Sequence, residues 1–499
     1  YLPAFRAAVQ EGGVWALMGA YNKYKGQHCC HNQYLLNDIL KRDWAFDGVV
    51  VSDWGGAHDT KQAAENGLDL EFGSWTNGVD WSLDISNVYD NYFLAGPYLE
   101  LLRQGKVSTE QLDDKARRVL RLIFRTAMNT QKPFGSMNSP EHLAAARRIA
   151  GEGMVLLKNE DDLLPLKPGQ RVALIGDFAQ TPRYQGAGSS SVNATRVDNL
   201  KDAAEADDIT LAGFCAGYER SGTPNPAFVE EAAALARKAD VVVLCMGLDE
   251  SSESEGLDRS HICIPENQKQ LLEAVAQANE NLVVVLSAGS VVETGWVSRC
   301  KAVLHAYLGG QAGAGAIMDV LTGRVNPSGK LAETLPLTYE DTPAARYFPG
   351  KQQNVEYREG LYIGYRYYET AHVPVRYPFG YGLSYTTFAY SDLKADADKV
   401  TFTITNTGSR AGAEIAQLYV AKADAAVFRP EKELKGFAKV FLQAGECKTV
   451  TIPLDDKAFR YWNVKTDRWE TEGGSYQLLV GASVQDIRLR AEVSVRWPR

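Results

Sequence analysis

The chain has 499 residues and a formal net charge of −9, a length that exceeds what one hydrophobic core usually fills, so we expect two to four domains. Hydrophobic residues make up 45% and charged residues 23% of the chain, as in ordinary globular proteins. Basic residues form no run longer than a dipeptide, and apolar stretches never reach the length of roughly 18 residues that spans a membrane. The composition therefore argues against nucleic acid and membrane as partners and favours a neutral ligand.

The first region, residues 1–130, alternates short apolar runs with amphipathic helices. Strands are predicted at residues 14–20, 48–53 and 67–72, and helices at residues 32–43, 58–66, 88–104 and 108–126. Apolar strands that alternate with helices indicate parallel strands covered on both faces. About three strands cannot close an eight-stranded barrel. We therefore expect the C-terminal part of a TIM-like barrel, with its first half upstream of a chain that opens within a helix.

A second α/β unit is predicted for residues 139–336, after a stretch rich in Pro, Gly and Ser. Its strands are expected at residues 171–176, 209–213, 240–245, 281–286 and 301–305. Helices are expected at residues 227–238, 267–279 and 312–321. This alternation predicts a doubly wound α/β sandwich, in which ligands approach the carboxyl ends of the strands.

The last two regions are a linker and an all-β domain. Residues 337–387 are rich in Tyr, Arg and Pro and show little periodicity. Residues 388–499 contain short alternating strands, at 400–405, 413–420, 448–453 and 475–480, separated by turns. This spacing is typical of an immunoglobulin-like β-sandwich.

Asp53 ends the most hydrophobic strand of the first region, and Trp54 follows it. In a parallel βα unit, a residue at the carboxyl end of a strand faces the site that the βα loops build. The carboxylate could act there, or it could simply cap the next helix. The indole could stack on a sugar ring or lie at the rim.

Several segments together resemble glycoside hydrolases of family three. The segment AFDGVVVSDW at residues 45–54 resembles the strand that carries the nucleophile in that family. Other similar segments, in the same order, are MGAYN (18–22), GLDLE (67–71), GEGMVLLKN (151–159), YQGAGSS (184–190), ESEGLDR (253–259), YREGLYIGYRYY (357–368) and YPFGYGLSY (377–385). The resemblance covers nearly the whole chain, and it implies that residues 388–499 form a fibronectin-III-like domain.

The resemblance implies that Asp53 is the nucleophile of a retaining β-glucosidase. Such an enzyme also needs a protonated carboxyl group at roughly 5 to 5.5 Å from the nucleophile, and in the family a loop of the α/β sandwich supplies it. The corresponding loop, residues 248–259, contains five carboxylates. The Glu before Gly matches best, so Glu255 is the expected acid/base, with Glu253 in reserve. We also expect the neighbouring carboxylates to raise the pKa of Glu255.

Four further residues are expected at the sugar site by the same comparison. Tyr21 resembles the tyrosine near the nucleophile, Met18 and Trp54 would line the pocket, and Ser189 would touch sugar. Each also has a plainer interpretation, since Tyr21 and Met18 could be packing residues. The family's remaining sugar-binding groups would lie upstream of Tyr1.

No cofactor or metal is expected. The loop at residues 186–190 lacks the spacing and the Lys of a phosphate-binding loop, and the seven His show no paired ligand spacing. The seven Cys are expected to be buried thiols. A homodimer is possible, and family habit suggests a periplasmic or secreted bacterial protein.

The expected reaction is hydrolysis of terminal, non-reducing β-D-glucosyl residues of β-glucosides or short β-gluco-oligosaccharides. A β-xylosidase or an enzyme of mixed specificity is the near alternative. An alternative of another class is a non-catalytic carbohydrate-binding or scaffold fragment, suggested by the missing barrel half. Two intact carboxylates oppose that interpretation. The linkage preference and the aglycone stay open at this stage.

Overall fold

The structure is a computed structural model that describes residues 1–73, 89–350 and 353–496. The chain separates into two compact units, Tyr1–Ser136 and Met137–Arg499. The finer division into domains at residues 1–130, 139–336, 337–387 and 388–499 stays a prediction.

The first unit is a mixed α/β unit that contains parallel strands. Its elements are α1 (Leu2–Gln10), β1 (Ala16–Gly19), β2 (Lys23–Tyr24), β3 (Gln27–His28), a 3₁₀ turn (Cys29–His31), a π-helix (Tyr34–Asp43), β4 (Val49–Ser52), α2 (Thr60–Glu65), α3 (Gly96–Arg103) and α4 (Thr109–Arg125). Strands β1 and β4 pair in parallel, with Gly19 opposite Ser52. The two strands therefore end at the same edge.

Three predictions for the first unit need adjustment. Residues 67–72 form no strand and contribute a parallel bridge between Leu70 and Val51. The helix expected at residues 88–104 begins at Gly96 in α3, and Val88 lies outside the described residues. The helix expected at residues 32–43 is of the π type. Leu36, Val50 and Leu68 nevertheless share one core, and Tyr98 of α3 belongs to a second, smaller one.

The second unit contains the doubly wound sheet that the sequence predicts. Its elements are α5 (Pro140–Gly153), β5 (Val155–Asn159), β6 (Arg171–Ile175), α6 (Leu200–Glu205), β7 (Thr210–Cys215), α7 (Pro226–Ala236), β8 (Val241–Gly247), α8 (Glu266–Ala278), β9 (Leu282–Ser287), β10 (Ala302–His305) and α9 (Gly313–Leu321). The strand order is β5-β10-β9-β8-β6-β7. Alternate residues of β8 enter two different cores, with Val242 and Leu244 on one face and Val243 and Cys245 on the other. Burial on both faces explains the continuous apolar runs.

Strand β5 at one edge of this sheet was not predicted. It pairs with β10 in the antiparallel direction, whereas the other pairs in the sheet are parallel. Its apolar residues are few, since the segment VLLKN ends in two polar residues. A short run of this kind does not distinguish a strand from a helix end.

Three elements follow the doubly wound sheet: β11 (Leu335–Pro336), α10 (Tyr365–Thr370) and β12 (Val375–Tyr377), and β11 pairs with β12. The C-terminal part of the second unit is a β-sandwich. Its strands are β13 (Phe388–Ala395), β14 (Lys399–Asn406), β15 (Gly412–Ala421), β16 (Glu433–Leu442), β17 (Cys447–Pro453), β18 (Arg460–Asn463), β19 (Arg468–Thr471), β20 (Gly474–Gly481) and β21 (Ile487–Val495). The two main sheets have the orders β13-β14-β17 and β16-β15-β20-β21. Both sheets contribute to one core, which includes Phe402 and Tyr476. Within the described ranges, every helix is too short or too polar to traverse a bilayer.

Candidate functional site

Asp53 directly follows the carboxyl end of β4. Its backbone N–H donates to the Gly19 carbonyl at 3.3 Å, and its carbonyl accepts from the Gly56 N–H at 2.9 Å. One carboxylate oxygen, Oδ1, accepts from the Trp54 N–H at 2.7 Å. These bonds hold Asp53 at the edge where both parallel strands end, as the sequence predicts. The Asp caps no helix here, because Asp59 caps α2.

A buried thiol lies beneath this turn and was not anticipated as part of the site. Cys30 is fully buried, and its Sγ donates to the same Gly19 carbonyl at 3.1 Å. A Cβ at Gly56 would lie 2.6 Å from that Sγ, and a Cβ at Gly19 would lie 2.6 Å from the Cys30 Cα. Both positions therefore require glycine. Gly19 and Gly56, which lie at the ends of the two strands, were the sequence signal that could have indicated this close approach of Cys30.

The three other residues expected near Asp53 are all exposed to solvent. Trp54 is 70% exposed, Met18 is 56% exposed and Tyr21 is 50% exposed. The Trp54 ring stacks on Phe72 with ring centroids 5.5 Å apart. Met18 lies on β1 opposite Val51, and Tyr21 follows the end of the same strand. Exposed apolar and aromatic groups beside a carboxylate are suited to a sugar ring, which has apolar faces and polar edges.

Glu255 lies in the second unit, on the loop that follows β8. Its Oε2 accepts from the Ser189 N–H at 2.7 Å, and its backbone N–H donates to the Ala187 carbonyl at 3.4 Å. The loops thus bring Ser189 and Glu255 together. Gly188 makes this approach possible, because a Cβ there would lie 2.6 Å from the Glu255 Cβ, and its φ is +88°.

The expected effect on the pKa of Glu255 is wrong in direction. Hydrogen bonds from the Ser189 side chain and from its N–H lower the pKa of Glu255, because they stabilise the charged form. Glu255 is exposed, so its neighbours on the loop are screened by water. The neighbouring carboxylates also bind partners other than Glu255.

Glu253, the reserve acid, is held by several partners. Its Oε2 accepts from the Gly289 N–H at 2.8 Å, and its Oε1 accepts from the Ser290 hydroxyl. Arg183 Nη1 lies 3.5 Å from Oε2. The side chain of Glu253 is mostly buried. This carboxylate is part of the loop's framework.

The other acids of the loop have different partners from Glu255. Asp249 accepts from the hydroxyls of Ser251 and Ser252 and closes a turn. Glu250 lies 3.5 Å from Arg220 and 3.7 Å from Arg183. Among the residues that the structure describes, His, Cys, Asp and Glu side chains form no group of three or more that could hold a metal ion.

The chain matches three domain families along its length. Residues 1–122 match the glycosyl hydrolase family 3 N-terminal domain, residues 154–385 the glycosyl hydrolase family 3 C-terminal domain, and residues 414–484 the fibronectin type III-like domain. The expected fold class, mixed α/β domains with a fibronectin-III-like sandwich, is confirmed.

Curated relatives are similar over nearly the whole chain. Thermostable beta-glucosidase B of Acetivibrio thermocellus is 44% identical over 99% of this chain and 65% of its own length. A beta-glucosidase of Bacteroides ovatus is 41% identical over 98% of this chain and 69% of its own length. An exo-alpha-(1->6)-L-arabinopyranosidase of Bifidobacterium breve is 41% identical, and the chain spans 64% of it. The chain thus spans about two thirds of the length of these relatives.

Solved structures show the same similarity. The crystal structure of a GH3 beta-glucosidase from Bifidobacterium adolescentis superimposes with a TM-score of 0.91 at 41% identity, covering 99% of this chain and 72% of that chain. The beta-glucosidase DesR from Streptomyces venezuelae, in complex with D-glucose, gives a TM-score of 0.89 at 28% identity over 99% and 78% of the two chains. The chain belongs to glycosyl hydrolase family 3.

Proposed function

We propose that this chain is part of a retaining, exo-acting β-glucosidase that removes terminal, non-reducing β-D-glucosyl residues. Asp53 is the nucleophile and Glu255 is the acid/base. The observation that carries the proposal is the position of Asp53, directly after a buried parallel strand and beside an exposed indole. The beta-glucosidases among the relatives and solved structures support the substrate class.

The reaction has two displacements. In the first, an Asp53 carboxylate oxygen attacks the anomeric carbon and forms a glycosyl ester, while the bond to the aglycone oxygen breaks. Glu255 gives its proton to that leaving oxygen. In the second, Glu255 takes a proton from water, the water oxygen bonds to the anomeric carbon, and Asp53 leaves as a carboxylate. Glucose is released with its original β configuration.

The surroundings of Glu255 suit the second displacement. The Ser189 hydroxyl and N–H lower the pKa of Glu255, so the carboxylate form that must accept a proton from water is favoured. The first displacement needs the protonated form instead. Activity of the free enzyme should therefore fall as the pH rises through this pKa.

Glu255 is preferred to Glu253 because of the hydrogen bonds that each makes. Glu253 is occupied by Gly289, Ser290 and Arg183, so its proton transfer would disrupt the loop. Glu255 is exposed and its carboxylate accepts from Ser189. An exposed carboxyl group can reach a leaving oxygen and a water molecule.

A second specificity is favoured by the relatives that are named exo-alpha-(1->6)-L-arabinopyranosidases, at 41% and 42% identity. An α-L-arabinopyranoside, like a β-D-xyloside, carries no hydroxymethyl group on its ring and can present an equatorial anomeric bond. The same two carboxylates could act on all three sugars. A non-catalytic carbohydrate-binding or scaffold protein would hydrolyse none of them.

The test uses the full-length protein and the 4-nitrophenyl glycosides of β-D-glucose, β-D-xylose and α-L-arabinopyranose. We expect the highest kcat/KM on the glucoside, with β-glucose as the first product in NMR spectra. Asp53→Asn and Glu255→Ala should each lower kcat strongly. Release of α-glucose, or full activity of Asp53→Asn, would overturn the mechanism. A folded protein inactive on all three glycosides would support the scaffold.

A further inference from the structure

Arg183 is a buried cation at the carboxyl ends of the strands in the second unit. It is 3% exposed. Its Nε donates to the Gln185 carbonyl at 2.9 Å, its Nη1 to the Leu248 carbonyl at 3.1 Å and its Nη2 to the Glu253 carbonyl at 3.3 Å. Each guanidinium nitrogen thus bonds to a main-chain oxygen.

These three carbonyls belong to the two loops that carry Ser189 and Glu255. Gln185 begins the first loop and closes it, because its side chain bonds to both the N–H and the carbonyl of Val192. Leu248 and Glu253 belong to the second loop. A guanidinium with donors in a fixed plane can fix both loops at once. Without it, the buried Leu248 carbonyl and the partly buried carbonyls of Gln185 and Glu253 would lose this partner.

The Glu253 carboxylate completes the arrangement. It balances the buried charge of Arg183 at 3.5 Å and bonds to Gly289 and Ser290, which follow β9. The loop is therefore anchored to the sheet two residues before Glu255.

We propose that Arg183 is a positioning residue for the acid/base, which holds the loop of Glu255 against the loop of Ser189. It acts through the loops and does not touch the sugar. The inference rests on the proposed function, since it gives Arg183 a role in proton transfer by Glu255. A Lys would supply the charge without the planar set of donors, so it should replace Arg183 only in part.

The test compares the full-length wild type with Arg183→Met, Arg183→Lys and Glu255→Ala. Arg171→Met is the matched control, because Arg171 pairs with Asp240 at the start of β6, at the other end of the same sheet. Thermal unfolding shows which variants are folded, and kinetics are measured well below their transitions.

The readout is the dependence of the first displacement on the leaving group. A dinitrophenolate needs almost no proton to leave, whereas a phenolate needs the acid. We expect Arg183→Met to lose about 100-fold in kcat/KM on phenyl β-glucoside, within the range of general acid catalysis, and only a few-fold on 2,4-dinitrophenyl β-glucoside. Arg183→Lys should lie between Arg183→Met and wild type. Arg171→Met should match wild type on both substrates.

Azide supplies a second readout, because it attacks the glycosyl ester without a base. It should raise the turnover of 2,4-dinitrophenyl β-glucoside by Arg183→Met and by Glu255→Ala, with formation of β-glucosyl azide. Equal losses on both glucosides, with no effect of azide in Arg183→Met, would overturn the role of Arg183. If Glu255→Ala also lacks both signatures, the assignment of Glu255 fails instead. If Arg183→Met does not fold, Arg183→Lys decides by the same two readouts.

Discussion

At the residue scale, one hydrogen-bonded pair sets the chemistry proposed for the second unit. Ser189 and Glu255 are far apart in the sequence, yet the Ser189 N–H lies 2.7 Å from the Glu255 carboxylate. The sequence predicted both residues separately, through motifs. It did not predict that one would bind the other, because that contact depends on how two loops fold over the same sheet edge.

Replacing Ser189 with Ala should move the pH profile of the full-length enzyme. The hydroxyl helps to stabilise the Glu255 carboxylate and so lowers its pKa. Its loss should raise that pKa, and the protonated acid should persist to higher pH. We expect the alkaline limb of kcat/KM on phenyl β-glucoside to shift to higher pH. Ser190→Ala is the control and should leave the limb in place; a shift of the Ser189→Ala limb to lower pH would contradict the assignment.

Gly188→Ala should misplace Glu255. The added Cβ would lie 2.6 Å from the Glu255 Cβ, at a φ of +88° that L side chains rarely adopt. Relief of this clash would shift Glu255, and a misplacement of about 1 Å near the proposed acid/base can cost about 100-fold in rate. We expect that loss in kcat/KM on phenyl β-glucoside.

Gly186→Ala on the same loop is the matched control for Gly188→Ala. Its new Cβ would meet only the Ser190 Oγ, at 2.9 Å, and that side chain can rotate. The variant should stay within a few-fold of wild type. Equal losses in the two variants would show that the loop is generally intolerant and would argue against a specific contact with Glu255.

At the element scale, Asp69 joins the π-helix, β4 and α4 of the first unit. Its buried carboxylate accepts from the Lys41 Nζ at 2.7 Å and from the Val50 N–H at 2.8 Å, and Arg118 Nε lies 4.0 Å away. This charge cluster therefore holds β4, the strand that precedes Asp53, in place. The motif at residues 67–71 includes Asp69, but the packing role of Asp69 is visible only in the structure.

Asp69→Ala should destabilise the first unit strongly. It leaves Lys41 and Arg118 buried with less compensation and removes the acceptor of the Val50 N–H, and breaking a buried pair costs about 3 to 5 kcal/mol. Urea unfolding of the full-length protein should show this as a lower midpoint. Asp113→Ala, which breaks an exposed pair with Arg117, should change stability by about 1 kcal/mol or less. Similar midpoints for both variants would refute the buried cluster's role.

Prediction of the elements succeeded where hydrophobic patterns were long. The buried strands β6, β8, β9 and β10 were all anticipated from continuous apolar runs. The antiparallel β5 was not anticipated, nor was the reduction of the strand expected at residues 67–72 to one bridge at Leu70, because both depend on pairing partners distant in sequence. Local pattern carries no information about such partners.

At the scale of the whole molecule, the seven cysteines test the burial that the sequence predicts for them. All seven are free thiols. Cys30, Cys215, Cys245 and Cys300 are buried, as expected. The expectation is wrong for the other three, because Cys29 and Cys263 are only partly buried and Cys447 is exposed. Cys447 begins β17, whose first residues face solvent, and its charged neighbours Glu446 and Lys448 gave no sign of burial.

Alkylation with iodoacetamide should discriminate among these thiols in the native protein. Burial raises the pKa of Cys245 and Cys300 to about 12, and a thiol that is protonated and enclosed reacts slowly. The reaction is run at pH 8, and peptide mass spectrometry measures the modification of each cysteine over time. We expect rapid modification of Cys447 and slow modification of the four buried thiols. After unfolding, all seven should react. Rapid native modification of Cys245 would contradict the described sheet core.

Within the candidate site, the sequence indicated the residues proposed to carry the chemistry, but it did not indicate the residues that hold their loops and strands in place. Asp53 and Glu255 could be proposed because a carboxylate at a strand end, or before a glycine in a family motif, is a recognisable pattern. Cys30 and Arg183 were not found, because a buried side chain that bonds to main-chain carbonyls leaves no local pattern. Their roles follow from distances alone.

Covalent trapping can distinguish Asp53 from every other carboxylate as the nucleophile. The full-length protein is incubated with 2,4-dinitrophenyl 2-deoxy-2-fluoro-β-D-glucoside, which forms the glycosyl ester but slows its hydrolysis. Trypsin then releases residues 43–61, which contain Asp43, Asp47, Asp53 and Asp59, and fragment spectra locate the sugar. We expect one 2-deoxy-2-fluoroglucosyl group on Asp53 and loss of activity in step with labelling. A label on any other residue, or inactivation without a label on this peptide, would contradict it.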